Sequence, residues 1–220
     1  GFESLKHYAD FIIIYFKFQV NFKLPLVLMV AFFNVSLSMN SQKINSRVFL
    51  IGYPSCGKSS FGRRIASSLN MNFVDSDVLV SKFENKSIVD IFNDKGEEYF
   101  RNLEHSILLD YSNQHDNFIM ATGGGLPCHS SNMDFINSVG VSFYLQTSVD
   151  TLLARLMNTK NIRPRFIGLS EMQMKEKIVS DLNERNKYYS KADYIIDTNC
   201  DVVRVIVQII SSYSSDMMRK

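Results

Sequence analysis

From Arg47 onward, short apolar runs alternate with longer stretches in which apolar residues return every three or four positions. This is the pattern of parallel strands joined by crossover helices. The runs RVFLIG (47–52), NFVD (72–75), NFIMAT (117–122), VSFYLQ (141–146) and DYIIDT (193–198) predict strands. Most are too continuously apolar for a sheet with a wet face, so burial on both faces is expected. Helices are predicted over 58–69, 88–111, 149–157, 171–189 and 202–212, several preceded by Ser, Thr or Asp as N-caps. Five strands with covering helices make an open α/β sandwich. The segment NTKNIRPRFIGLS (158–170) has weak periodicity and several basic residues, and reads as a mobile connection of the kind that covers a site.

Residues 1–38 follow a different pattern. FIIIYFKFQVNFKLPLVLMVAFF is strongly apolar, but Lys17, Asn21, Lys23 and Pro25 split it. Each part is shorter than the roughly 20 residues that cross a bilayer. An anchor, a signal-like leader and an upstream artefact ahead of a start at Met39 are the three readings of this extension. All place it outside the fold, leaving 39–220 as a single domain.

Composition narrows the partners. The chain has 220 residues, 24 basic and 22 acidic, for a formal net charge of +2. The charges are evenly mixed, so no broad field exists to hold a nucleic-acid backbone, and any anion site must be local. Cys56, Cys128 and Cys200 are far apart with no C-x-x-C pair, which argues against a disulfide framework and a zinc site and for a reducing, cytoplasmic setting.

A local anion site is legible at GYPSCGKSS. Gly52 and Gly57-Lys58-Ser59 satisfy G-x-x-x-x-G-K-[ST], with a predicted strand before and a predicted helix after. Glycines let backbone N–H groups turn toward phosphate oxygens, and the helix's first turn adds unpaired donors and its positive dipole end. Lys58 is expected to reach the outer phosphates and the Ser59 hydroxyl to ligate Mg²⁺. Cys56 needs no reactive role and is expected to face away from the phosphates.

Further motifs select a second substrate. FVDSD places Asp75 and Asp77 on one side of an extended segment at the carboxyl edge of the sheet. One can support a metal and its waters while the other accepts from a substrate hydroxyl; as an alternative, Asp77 caps the next helix. GEEYFRNLE sets Arg101 and Glu104 three apart on one helix face, able to pair and orient the guanidinium. ATGGG follows a buried strand with three glycines, permitting close backbone approach to a ligand. Arg163 and Arg165 flank Pro164, and NERNKYY carries Arg185, which adds candidate forks for phosphate and carboxylate.

Taken in order, GYPSCGKSS, FVDSD, GEEYFRNLE, ATGGG, RPRF and NERNKYY resemble the shikimate kinase family, with similar spacing from Arg47 to about Thr198. The resemblance implies a three-layer P-loop kinase fold, like that of nucleoside monophosphate kinases. It implies a five-stranded parallel sheet in the order 2-3-1-4-5, a helical substrate-binding region at about 76–111 and a lid at about 157–170. It further implies transfer of the ATP γ-phosphoryl group to the 3-hydroxyl of shikimate, with Mg²⁺, in the route to chorismate and aromatic amino acids.

By the same resemblance, Gly52, Ser55, Cys56, Gly57, Lys58, Ser59, Ser60 and Arg163 hold ATP, and Ser59 and Asp75 serve the metal. Asp77, Arg101, Gly123, Gly124, Gly125 and Arg185 hold shikimate, and Lys58, Asp77 and Arg163 act in catalysis. A monomer with small-molecule substrates and no nucleic-acid or membrane partner is expected. Two positions depart from the family pattern. Ser55 stands where glycine is usual, and Arg165 where an aliphatic residue is common. Competing readings are another small-molecule P-loop kinase, such as a gluconate or nucleotide kinase, and a nucleotide-binding regulator docked at a membrane through residues 1–38.

Overall fold

The structure, a computed structural model, describes residues 47–158, 166 and 168–217, with the backbone alone at 213–217. Residues 1–38, Arg163, Arg165 and most of the expected lid lie outside the described residues.

Five parallel strands form one sheet in the order β2-β3-β1-β4-β5: β1 Arg47–Ile51, β2 Asn72–Asp75, β3 Phe118–Ala121, β4 Val141–Gln146 and β5 Tyr194–Asp197. In the centre, Leu50 pairs with Ala121 on one side and Phe143 on the other. Helices cover both faces: α1 Lys58–Leu69, α2 Ser76–Glu84, α3 Ile88–Gln114, α4 Asn132–Val139, α5 Val149–Met157, α6 Glu171–Tyr189 and α7 Val202–Met217. The apolar runs end up where their composition requires. Val48 to Ile51 of β1 and all four residues of β3 are buried, which two-sided cover demands.

Two short helices were not legible in the periodicity. The first, α2, also corrects the expectation of an extended FVDSD: β2 stops at Asp75, and Asp77 lies in the first turn of α2. Asp75 is the N-cap, its Oδ1 accepting from the Asp77 N–H at 3.1 Å. The short side chain satisfies a first-turn donor better than another strand residue would, so the helix is capped at Asp75 and not at Asp77. The second is α4, an eight-residue helix with no hydrogen-bonded side-chain cap.

The helical region between β2 and β3 has a small core of its own, Val80, Ile91 and Phe100, with Phe92 packed against it. Burying such side chains contributes about 1.5–3 kcal/mol each. Within α3 the backbone leaves helical geometry at Gly96, with φ 81° and ψ 173°, a conformation only glycine adopts cheaply. This break turns the second half of α3, anchored through Phe100, so that Arg101 reaches the sheet edge.

Candidate active site

The turn between β1 and α1 is built for an anion. Helices α2, α3, α5 and α6 each have a side-chain N-cap, from Asp75, Ser87, Ser148 and Ser170. By contrast α1 begins at Gly57, φ 108°, with no side-chain cap, leaving its first N–H groups and the positive end of its dipole to a ligand. Ser55 sits at φ 67°, the left-handed conformation that glycine takes at no steric cost. This is why glycine is the usual residue there: the serine keeps the turn at the expense of some strain.

Ser55, Gly57, Lys58, Ser59, Ser60, Asp75, Asp77, Thr122 and Gly124 line a cleft of about 1010 Å³, with α5 residues including Asp150 and Arg155 on its far wall. Lys58 donates to the carbonyls of Gly52 at 2.8 Å and Tyr53 at 2.9 Å. The loop's own oxygens therefore hold the ammonium, only 8% exposed, at the cleft wall. Gly52 and Cys56 lie beneath the lining; Cys56 is fully buried, its Sγ 3.6 Å from Lys58 Nζ. Arg155, which the sequence did not single out, donates to the Cys56 carbonyl at 2.9 Å and the Ser55 carbonyl at 3.3 Å, bracing the turn from α5.

The Ser59 hydroxyl donates to Asp75 Oδ2 at 2.6 Å. A hydroxyl and a carboxylate oxygen at the mouth of a phosphate turn suit a hard cation that keeps waters and phosphate oxygens as its other ligands, which is the habit of Mg²⁺. The described residues contain no group of three or more His, Cys, Asp or Glu that could hold a metal by themselves.

The glycine run after β3 joins this cleft to two arginines. A Cβ on Gly125 would lie 2.6 Å from Arg101 Nη1, so that guanidinium rests on bare backbone. Arg101 is held by Glu104 at 2.6 Å and Glu97 at 3.1 Å. Arg185 Nη1 donates to the Gly124 carbonyl at 3.3 Å, an oxygen that also accepts from the buried Tyr189 hydroxyl. At Gly123, a Cβ would overlap Glu104 Oε1 and lie 2.7 Å from Asp77 Oδ1. The Gly123 N–H donates to Ser76 Oγ at 2.7 Å, which ties the run to the start of α2.

Glu104 is the group that spacing alone undervalued. It is 1% exposed, and Oε1 has no hydrogen-bond partner. Burial pushes its carboxyl up to about 7; Arg101 pulls the other way, and the nearby Asp77 charge adds to the rise. Cys128, close to both arginines, is pushed up to about 11 by burial despite them.

Phosphate turn, metal-suited oxygens and arginine-rimmed glycine run all sit at the carboxyl edge of the 2-3-1-4-5 sheet, which defines a P-loop phosphotransferase acting on a small acidic acceptor. Residues 54–214 match the family model of shikimate kinase. The shikimate kinase of Azobacteroides pseudotrichonymphae is 36% identical over 149 residues, 68% of this chain and 88% of the relative. The crystal structure of shikimate kinase from Bacteroides thetaiotaomicron superposes with a TM-score of 0.68 at 30% identity, covering 79% of this chain and 98% of that one. That from Acinetobacter baumannii, in complex with shikimate, gives 0.68 at 28% identity, covering 81% and 97%. The chain belongs to the shikimate kinase family, and its activity is the ATP-dependent phosphorylation of shikimate.

Proposed function

We propose a specific division of labour among these residues for transfer of the γ-phosphoryl group to the 3-hydroxyl of shikimate. The observation that carries it is the junction at Gly124: this residue lines the phosphate cleft and, through its carbonyl, contacts Arg185. The nucleotide's tail and the acceptor's carboxylate are thereby set end to end. The transition state of such a transfer is loose, so alignment and charge stabilisation matter more than covalent help.

Gly52, Ser55, Cys56, Gly57, Ser59 and Ser60 supply the turn that takes the triphosphate, and Lys58 leaves its loop carbonyls for the outer phosphates. Ser59 and Asp75 would hold Mg²⁺, which would supply positive charge to stabilise the phosphoryl group in transfer. Arg101 and Arg185 grip the shikimate carboxylate with Gly123, Gly124 and Gly125 along the ring. Asp77 accepts from the attacking hydroxyl; as the new O–P bond forms and the bond to the β-phosphate oxygen breaks, it takes the hydroxyl proton late. Arg163, which the family resemblance assigns to a lid, is the further cation for the transferring phosphoryl group. An analogue without the carboxylate leaves two guanidinium groups short of an acceptor, the basis of selectivity.

The reading makes 39–220 the catalytic domain, acting as a cytoplasmic monomer with 1–38 outside it. No helix among the described residues is long and apolar enough to cross a membrane, and the three cysteines are free. ADP release by the full chain, measured with shikimate, gluconate and nucleoside monophosphates as acceptors, tests the assignment. Turnover with shikimate alone is expected; turnover with an acceptor lacking a carboxylate would remove the reason for the arginine pair.

A further inference from the structure

The buried residues of α6 are Ile178, Asp181 and Tyr189, so a carboxylate occupies the packing face where an aliphatic side chain is the ordinary occupant. Asp181 is 7% exposed. A buried carboxylate persists only where good partners compensate its lost hydration. Its Oδ2 accepts from the Tyr53 hydroxyl at 2.8 Å and lies 3.5 Å from Arg185 Nη2.

Tyr53 is itself part of the phosphate turn. It is 1% exposed, its carbonyl accepts from Lys58, and the Arg185 guanidinium lies over its ring at 5.3 Å. Lys58, Tyr53, Asp181, Arg185 and Gly124 thus form one unbroken series of contacts from nucleotide side to acceptor side. Lys177, another cation near Asp181, stands 3.9 Å from Oδ1 and is 31% exposed. At that distance and exposure it is a weak surface pair, and it does not account for the burial.

We propose that Asp181 is a positioning residue for the acceptor, fixing the plane and reach of Arg185 and, through the Tyr53 hydroxyl, keeping that cation in register with the turn that carries Lys58. The proposal rests on Arg185 being a partner of the shikimate carboxylate. Its physical basis is preorganisation. Arginine has many rotamers, and a fork held from two sides, by Asp181 and by the Gly124 carbonyl, loses less freedom when the ligand arrives. The bond between Tyr53 and Asp181 extends that order to the nucleotide loop, so a shift of one element is felt by the other.

Calorimetric titration of the full chain with shikimate, and with its analogue bearing a hydroxymethyl group in place of the carboxylate, separates positioning from mere stability. Asp181→Asn and Tyr53→Phe are each expected to weaken shikimate binding about tenfold while changing binding of the analogue less than about twofold. Tyr53→Phe keeps the ring and the packing, and answers the question if Asp181→Asn folds poorly. If both variants lose the two ligands equally, or neither variant loses shikimate while Arg185→Ala reduces the preference for the carboxylate, the positioning role is overturned and the arginine assignment stands. An Arg185→Ala variant with undiminished preference for shikimate over the analogue overturns both.

Discussion

Gly123 lies so close to Glu104 that a single methyl group on its Cα would overlap Glu104 Oε1 while standing 2.7 Å from Asp77 Oδ1. The glycine is the gap through which two carboxylates approach one backbone. Gly123→Ala is therefore expected to displace Asp77 from the acceptor. A misplacement on the order of 1 Å lowers turnover by about 100-fold. Nucleotide affinity should change little, because Gly123 is not part of the cleft lining; steady-state kinetics beside nucleotide titration checks both.

Asp77 and Arg101 should fail in different ways. Asp77→Asn keeps the shape but loses the proton acceptor, so turnover is expected to fall about 100-fold or more with the KM for ATP nearly unchanged. Arg101→Ala removes a carboxylate partner and is expected to raise the KM for shikimate by at least about tenfold. Equal losses of ATP affinity in the two variants would contradict both roles.

Glu104 gives the protein a distinctive pH response. Its carboxyl is raised from the ordinary 4.5 to about 7, with burial as the main cause. Between those values the folded protein holds a proton that the unfolded chain has released. Stability from this group is complete below the lower value and is lost as pH rises through the higher one. Glu104→Gln, which cannot titrate, should therefore gain stability relative to the unsubstituted protein on going from about pH 5 to about pH 7.5, by on the order of 1–3 kcal/mol. Urea midpoints at the two pH values measure it; a constant difference would argue for an ordinary carboxylate.

The Ser59 hydroxyl, 2.6 Å from Asp75, predicts a metal-specific defect. Ser59→Ala is expected to raise the Mg²⁺ concentration for half-maximal activity about tenfold or more, with much of the loss restored by excess Mg²⁺. Activity titrations with MgCl₂ at fixed ATP decide this, and a defect insensitive to added metal would point to damage to the turn instead.

The strand pattern and the phosphate turn were legible because both are local: continuous apolar runs encode two-sided burial, and the turn needs glycines at fixed offsets. The arginines could be named from motifs, but their convergence on Gly124 and Gly125 depends on the Gly96 break and on α6 packing across the sheet, which no window of sequence contains. Helix α2 falls in the helical region that the resemblance implies from about 76, but periodicity does not show it, because its start is set by Asp75 capping and FVDSD alone is equally compatible with continued extension. The burial of Glu104 was not legible, since spacing gives its pairing with Arg101 and not the depth. Asp181 and Tyr53 are 128 positions apart, so their bond leaves no trace in either motif.

The uncapped first turn of α1 has a practical corollary for anyone handling this protein. Amides poised for a triphosphate make no distinction between it and the tetrahedral oxyanions of common laboratory salts. Storage or assay in sulfate or inorganic phosphate will thus fill the turn competitively and make the enzyme look more demanding of nucleotide than it is, whereas chloride or a zwitterionic medium leaves the turn to its own ligand.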